Sequence, residues 1–269
     1  MDALTGLFLA GGRSRRFGSD KSRFELPDGR GDMLQRGLDL LGELPGVGRV
    51  AVSCREDQAE EMARRLPPGV ELLSDPPHEG SSPLFGVTAA LRRWPGPVLT
   101  LSCDLPLMTP TLLRQLCEAR DAAWAAVSPA ASPANSACPA RPSFPAPVLS
   151  AISPAASPAS PACPAPPTAA TSPAAASPSP SAPSLLPPLR TAFVHADGTV
   201  ETLVSIYEAE SLPHLEAALA AGCLGLYAAV PADRQLLLPV QGSLPFLNRN
   251  TPEDARRAIP LLRGAGERA

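Results

Sequence analysis

Residues 4–21 read Leu4-Thr5-Gly6-Leu7-Phe8-Leu9-Ala10-Gly11-Gly12-Arg13-Ser14-Arg15-Arg16-Phe17-Gly18-Ser19-Asp20-Lys21. The apolar run lacks a basic segment ahead of it and passes straight into glycines, so Leu4–Ala10 reads as a strand and not as a signal peptide. Gly11 and Gly12 let the backbone approach an anion closely, and successive amides there can form an anion-binding concavity. Arg15 or Arg16 can fork onto phosphoryl oxygens, with Lys21 as a point charge. The stretch is not a P-loop, because Gly18-Ser19-Asp20-Lys21 breaks the Gly-Lys-Ser/Thr ending, and it lacks the GxGxxG dinucleotide fingerprint. Taken alone, the glycines suit a solvated surface turn equally well.

The flanking sequence settles the fold class. Strands are expected at Leu4–Ala10, Arg49–Ser53, Val70–Ser74, Val98–Cys103 and Ala123–Val127. Helices are expected between them, at Met33–Gly42, Gln58–Leu66, Pro83–Arg93 and Thr109–Ala119. Short apolar runs separated by amphipathic helices of about ten residues are the signature of repeated βαβ units and a parallel sheet. Further on, Ala192–His195 and Thr199–Tyr207 flank an Asp197-Gly198 turn and read as a hairpin. Helices at Pro213–Ala221 and Pro252–Leu262, with a strand at Gln235–Val240, complete an α/β fold with an antiparallel addition in its C-terminal part.

Between Ser128 and Pro188 the composition changes. This stretch holds 18 of the 35 prolines, is otherwise mostly Ala and Ser, and carries Arg141 as its only charge. Prolines at that density remove backbone donors, and alanines supply too little apolar area to offset ordering entropy. It is expected to be a disordered or polyproline-like insertion in one domain made of residues 1–127 and 189–269. The remaining 208 residues suit a single α/β domain.

Composition excludes several classes. The 269 residues are 44% hydrophobic and 18% charged, with a net charge of −3, which gives no electrostatic reason to expect nucleic acid as a partner. No run approaches 18 apolar residues, so no membrane span is expected. The six cysteines form no CxxC pair and share no ligand spacing with the three histidines, so neither zinc nor a disulfide framework is expected, and a cytoplasmic location fits. Lys21 is the only lysine among 23 basic residues. A position that keeps lysine against such an arginine bias suits a need for a compact ammonium.

Ligands of a doubly wound sheet sit beyond the carboxyl ends of the parallel strands. There the chain offers the glycine loop, Ser53-Cys54-Arg55, Asp75 and Asp104. Asp75 and Asp104 are 29 residues apart, one strand–helix–strand crossover, so both are expected at the same sheet edge.

These residues carry a resemblance. Leu9-Ala10-Gly11-Gly12-x-Ser14-x-Arg16-Phe17-Gly18-x-Asp20-Lys21 resembles the signature loop of nucleotidyltransferases with a Rossmann-like sheet, and most of all that of the molybdenum cofactor guanylyltransferase family. Ser74-Asp75 followed by Pro83-Leu84-Phe85-Gly86, then Ser102-Cys103-Asp104-Leu105-Pro106, and finally Phe246-Leu247-Asn248-Arg249-Asn250-Thr251-Pro252-Glu253-Asp254 match further family segments in order. The proline-rich stretch is not a family feature.

The resemblance implies a mostly parallel Rossmann-like sheet flanked by helices. It also implies Mg²⁺-dependent transfer of GMP from GTP to molybdopterin, with release of pyrophosphate. By it Lys21, Arg16 and Asp104 are catalytic. The nucleotide belongs to Leu9, Ala10, Gly11, Gly12, Lys21, Asp75 and Asp104, and Mg²⁺ to Asp104 and Asn250, with Asn248 nearby. Transient contacts with cofactor-delivery or acceptor proteins are a further implication. Which acid takes the guanine edge is left open by sequence.

The chain departs from the family in four places. Ser81-Ser82 stands where Gly usually precedes Pro-Leu, and Phe17 replaces a common Met. Ser53-Cys54-Arg55 occupies a place where the family often has a nucleotide-contacting Asn. Ala221-Gly222-Cys223-Leu224-Gly225 lacks the basic residues often found there. A molybdopterin cytidylyltransferase, a sugar-phosphate nucleotidylyltransferase and a non-catalytic nucleotide-binding adaptor are the alternative readings.

Overall fold

A computed structural model describes residues 3–11, 21–26, 31–75, 82–127, 186–240 and 244–246. Strand β1 (Leu4–Leu9) is buried along its whole length, as a strand covered by helices on both faces must be. Beside it lie β2 (Val47–Arg55) and β4 (Val98–Ser102), both parallel to it, and β3 (Glu71–Asp75) adds in parallel to β2. Strand β6 (Val200–Tyr207) pairs antiparallel with β4 and with β5 (Arg190–Val194), while β7 (Gln235–Pro239) runs parallel to β5. The order across the sheet is β3-β2-β1-β4-β6-β5-β7.

Alternation along the strands builds two cores. Phe8, Ala10, Val52, Cys54, Leu99 and Leu101 face α1 (Met33–Gly42), α2 (Glu56–Arg65) and α4 (Pro110–Val127). Leu7, Leu9, Ala51 and Val98 face α3 (Pro83–Arg93) and α5 (Leu212–Ala220). Helix α1 comes down so closely that a Cβ on Gly37 would meet the Phe8 ring, with Phe8 Cζ only 3.0 Å away. Its first turn is capped by Asp32, whose Oδ1 accepts from Gln35 N at 2.9 Å.

The α/β reading holds: the sheet is mostly parallel, and the antiparallel addition in its C-terminal part comes from β6, which runs against both β4 and β5. The expected hairpin is present: Val194 pairs with Val200, and Gly198 takes φ 85° in the turn between them. One expectation fails. Residues 123–127 do not form a strand; they are the last turns of α4. That stretch, Ala-Ala-Trp-Ala-Ala-Val from Ala122, is dominated by the strongest helix former, and neither Gly nor Pro separates it from the helix before it. The helix expected at Pro252–Leu262 lies outside the described residues, as does most of the proline-rich stretch. Among the described residues, no helix is long and apolar enough to cross a membrane.

Candidate active site

The parallel pairings fix one level near the carboxyl edge of the sheet, where Leu9 pairs with Ser53 and with Ser102 and Ser53 pairs with Leu73; Asp75 and Asp104 each stand two residues beyond it. Asp75 and Asp104 therefore emerge from the same edge. Strands β2 and β1 lie between theirs, so three strand spacings of about 4.8 Å separate the two backbones by roughly 14 Å. The chain leaving β1 bends over β2, with Ala10 N and Gly11 N both donating to Ser53 O, at 2.8 and 3.1 Å. This bend brings Gly11 to Asp75, whose Oδ2 lies 3.5 Å from where a Gly11 Cβ would stand.

Asp75 is buried, and its Oδ1 accepts the Ser53 hydroxyl at 3.2 Å. The first turn of α3 covers that pair. A Cβ on Gly86 would fall inside the envelope of Ser53 Oγ and lie 2.8 Å from Ser53 Cβ, so the Pro-Leu-Phe-Gly helix start needs its glycine for close approach. Ser82 caps α3 by accepting from Leu84 N at 3.1 Å, and its hydroxyl donates to Leu224 O at 2.6 Å. The segment Ala221–Gly225 is thereby tethered to the helix start at this edge.

Asp104 follows β4 and is half-buried, with Oδ1 accepting from Ser102 Oγ at 2.6 Å. Cys103 N donates to Leu9 O at 3.2 Å, binding the ends of β4 and β1 together. The segment after Asp104 is held by Arg36 of α1, which donates to Pro106 O at 3.0 Å and to Met108 O at 3.1 Å. A half-buried carboxylate steadied by a hydroxyl at a sheet edge is a hard oxygen donor that suits Mg²⁺.

Lys21 opens a short 3₁₀ turn, Lys21–Arg23. Arg65, at the end of α2, holds that turn: its Nη1 donates to Ser22 Oγ at 3.1 Å, and its Nη2 donates to Ser22 O at 3.2 Å and to Asp32 Oδ2 at 2.5 Å. Leu9, Ala10, Gly11, Lys21, Asp75 and Asp104 thus lie among the described residues, while Gly12, Arg16, Asn248 and Asn250 lie outside them. Phe246, just ahead of the Asn-containing segment, packs on Phe193 with ring centroids 5.1 Å apart and edge-on to His195 at 5.5 Å. Ser53, Gly86 and Ser102 lie in segments that the sequence marks at this edge, without the supporting roles seen here, whereas Arg36 and Arg65 carry no signal in the sequence.

A family profile described as MobA-like NTP transferase domain matches residues 6–230, most of the chain and nearly all of this sheet. The chain belongs to the MobA-like NTP transferase domain family. Among curated proteins, this MobA-like domain is 35% identical over 105 residues to a probable molybdenum cofactor guanylyltransferase of Haloferax mediterranei, covering 38% of this chain and 48% of that protein. It is 32% identical over 142 residues to the molybdenum cofactor guanylyltransferase of Bordetella pertussis, covering 52% of this chain and 68% of that protein. The chain spans about half the length of the first of the curated relatives it matches. Among solved structures, the molybdopterin-guanine dinucleotide biosynthesis protein A of Archaeoglobus fulgidus superposes with a TM-score of 0.60 at 19% identity, over 97% of this chain and 99% of that one. At that identity the superposition speaks for the fold.

Proposed function

We propose that this MobA-like domain transfers GMP from GTP to the terminal phosphate of molybdopterin, releasing pyrophosphate. A phosphate oxygen of molybdopterin attacks the α-phosphorus, the α–β bond breaks, and pyrophosphate leaves with the electron pair. Such a reaction asks the protein for positioning and charge neutralisation, not for a nucleophile of its own. The observation that carries the reading is the pairing of Asp75 and Asp104 on either side of Gly11 at one sheet edge. It is supported by the curated relatives named molybdenum cofactor guanylyltransferase.

In this reading the backbone of Leu9, Ala10, Gly11 and Gly12 receives the nucleotide. Asp75 accepts from the guanine N1–H and N2–H₂ donors, a paired edge that cytosine lacks. Lys21 and Arg16 offset the charge that develops on the pyrophosphate. Asp104, with Asn250 through its amide oxygen, would hold Mg²⁺, which when bound neutralises charge across the triphosphate.

The test is a calorimetric titration of the purified protein with GTP, CTP, ATP and TTP, with and without Mg²⁺. The expected result is Mg²⁺-linked binding selective for GTP and lost in Lys21→Ala. A preference for CTP would move the assignment to cytidylyl transfer, and absence of any nucleotide binding would overturn it.

A further inference from the structure

The Ser53 hydroxyl lies in a closed place. Ser53 is 2% exposed, Asp75 is 6% exposed, and the missing Cβ of Gly86 lets the first turn of α3 rest directly on Ser53. A hydroxyl sandwiched in this way cannot reach a ligand at the crevice. What it does reach is Asp75 Oδ1, at 3.2 Å. The other carboxylate oxygen is directed to the end of β1, beside Gly11.

We infer that Ser53 is a positioning residue for base selection: by donating to Asp75 Oδ1 from beneath, it fixes the plane in which the Asp75 carboxylate meets the nucleobase. The inference rests on the reading of Asp75 as the acceptor of the guanine edge. A carboxylate accepts from two adjacent N–H groups only when its plane is aligned with theirs. The Ser53 hydroxyl, donating from behind to Oδ1, is one of the contacts that hold that plane, and an alanine there has no donor to replace it. Gly86 belongs to the same device, since it lets the helix seat Ser53 against the acid.

The experiment compares binding of GTP with that of inosine triphosphate, which keeps N1–H but lacks the N2 amine. The wild type is expected to prefer GTP by about tenfold or more, because a site built for two donors is left with an unpaired acceptor when one is missing. Ser53→Ala is expected to narrow that preference to about two- to threefold, through weaker GTP binding and little change for inosine triphosphate. Ser53→Thr, which keeps the hydroxyl on Cβ, restores it to within about twofold of wild type. A purely structural serine would lower both affinities together and leave the ratio alone.

Asp75→Asn separates the two levels. If it abolishes the preference while Ser53→Ala preserves it, Ser53 is not a positioning residue and the assignment of Asp75 stands. If neither change alters the ratio, the assignment of Asp75 itself falls. Should Ser53→Ala fail to melt cooperatively, Ser53→Cys takes its place against Ser53→Thr, since it offers only a weak donor in nearly the same volume. An unchanged ratio in the cysteine variant then overturns the inference.

Discussion

Asp104 and Lys21 are positioned by different means, and the difference sets what each substitution should do. Asp104 sits at the end of a fully buried strand, with Ser102 donating to it and Arg36 holding the segment that follows. Its side chain is partly exposed and contributes little packing, so Asp104→Ala should leave the unfolding midpoint almost unchanged. On the proposed function it should lower Mg²⁺-dependent turnover by about 10³-fold or more, the scale of removing a main electrostatic stabiliser. Turnover near wild type would remove Asp104 from the metal role. Lys21 owes its backbone position to Arg65, which reaches across to Ser22 and Asp32. Arg65→Ala is therefore expected to weaken GTP binding by about three- to tenfold. Added to Lys21→Ala it should cost little more, because residues acting through one another are not additive. Full additivity in that cycle would show Arg65 to be a general stabiliser. The two acids were visible in the sequence because each closes or follows a run read as a strand, Asp75 as the last residue of β3 and Asp104 just past the buried β4. Arg65 carried no such mark, and Ser53 was marked only as a strand end: what they do depends on which side chains the folded chain brings beside them, 43 residues away for Arg65 and 22 for Ser53.

Elements whose pattern was unambiguous came out with nearly the bounds the sequence predicts: α1 and α3 match residue for residue, and β1 and β4 are each shorter by one. The failure at 123–127 is of a different kind. A short apolar run suits a strand or a buried helix equally, and periodicity alone does not separate them. Here tertiary contacts reinforce the helix. Arg120 of α4 is buried and meets Glu208, just past β6, through two hydrogen bonds of 2.7 and 2.9 Å. Its guanidinium also lies 5.8 Å from the Trp124 ring. Holding Arg120 in this geometry carries the helix past the residue where a strand was expected. Burial pushes the Glu208 carboxyl above its ordinary range, against the pull of Arg120. Burial likewise pushes the nearby Cys117 thiol up to about 11. Arg120→Leu should therefore cost about 3–5 kcal/mol at pH 7, measured by denaturant unfolding, because it leaves a buried carboxylate without its partner. The sign of the pH effect follows from the upward shift. A carboxyl whose folded pKa exceeds its unfolded value of about 4.3 favours folding below that value and loses the benefit as pH rises through the folded one. The penalty in Arg120→Leu should thus shrink as pH falls from 7 toward 5; a penalty that grew instead would contradict the assignment. The double substitution Arg120→Leu, Glu208→Leu should recover most of the loss.

At the scale of the whole molecule, the strand directions separate two ends of the fold. Strand β6 is antiparallel to both β4 and β5, so β5 runs in the direction of β4 and begins at the edge opposite Asp75 and Asp104. Helix α4 returns from the site edge to that opposite edge and ends at Val127. The described chain therefore stops at Val127 and resumes at Leu186, ahead of β5, at the edge away from the candidate site. The two flanks are tied to each other without the residues between them. Glu208 N donates to Leu189 O at 3.0 Å while Glu208 grips Arg120, and Arg234 donates to Pro187 O at 2.9 and 3.2 Å. These contacts place Pro187 and Leu189 with the folded part, so a deletion that respects them spans residues 128–185. Composition marked this stretch as an insertion, but its junctions depend on hydrogen bonds that no compositional count reveals. Replacing those 58 residues by a Gly/Ser linker of about eight, with a mean span of roughly 16 Å, should leave GTP affinity within about twofold of wild type. If the stretch is an open chain, shortening it so far also lowers the closure cost by about 1.7 kcal/mol, which raises the melting temperature by about 4–6 °C in a domain of this size. Thermal unfolding and GTP titration of the deletion variant, each beside the full chain, check both halves of the expectation. A fall of more than about 5 °C would mean that residues 128–185 pack on the fold, and a selective loss of GTP binding would mean that they reach the opposite edge.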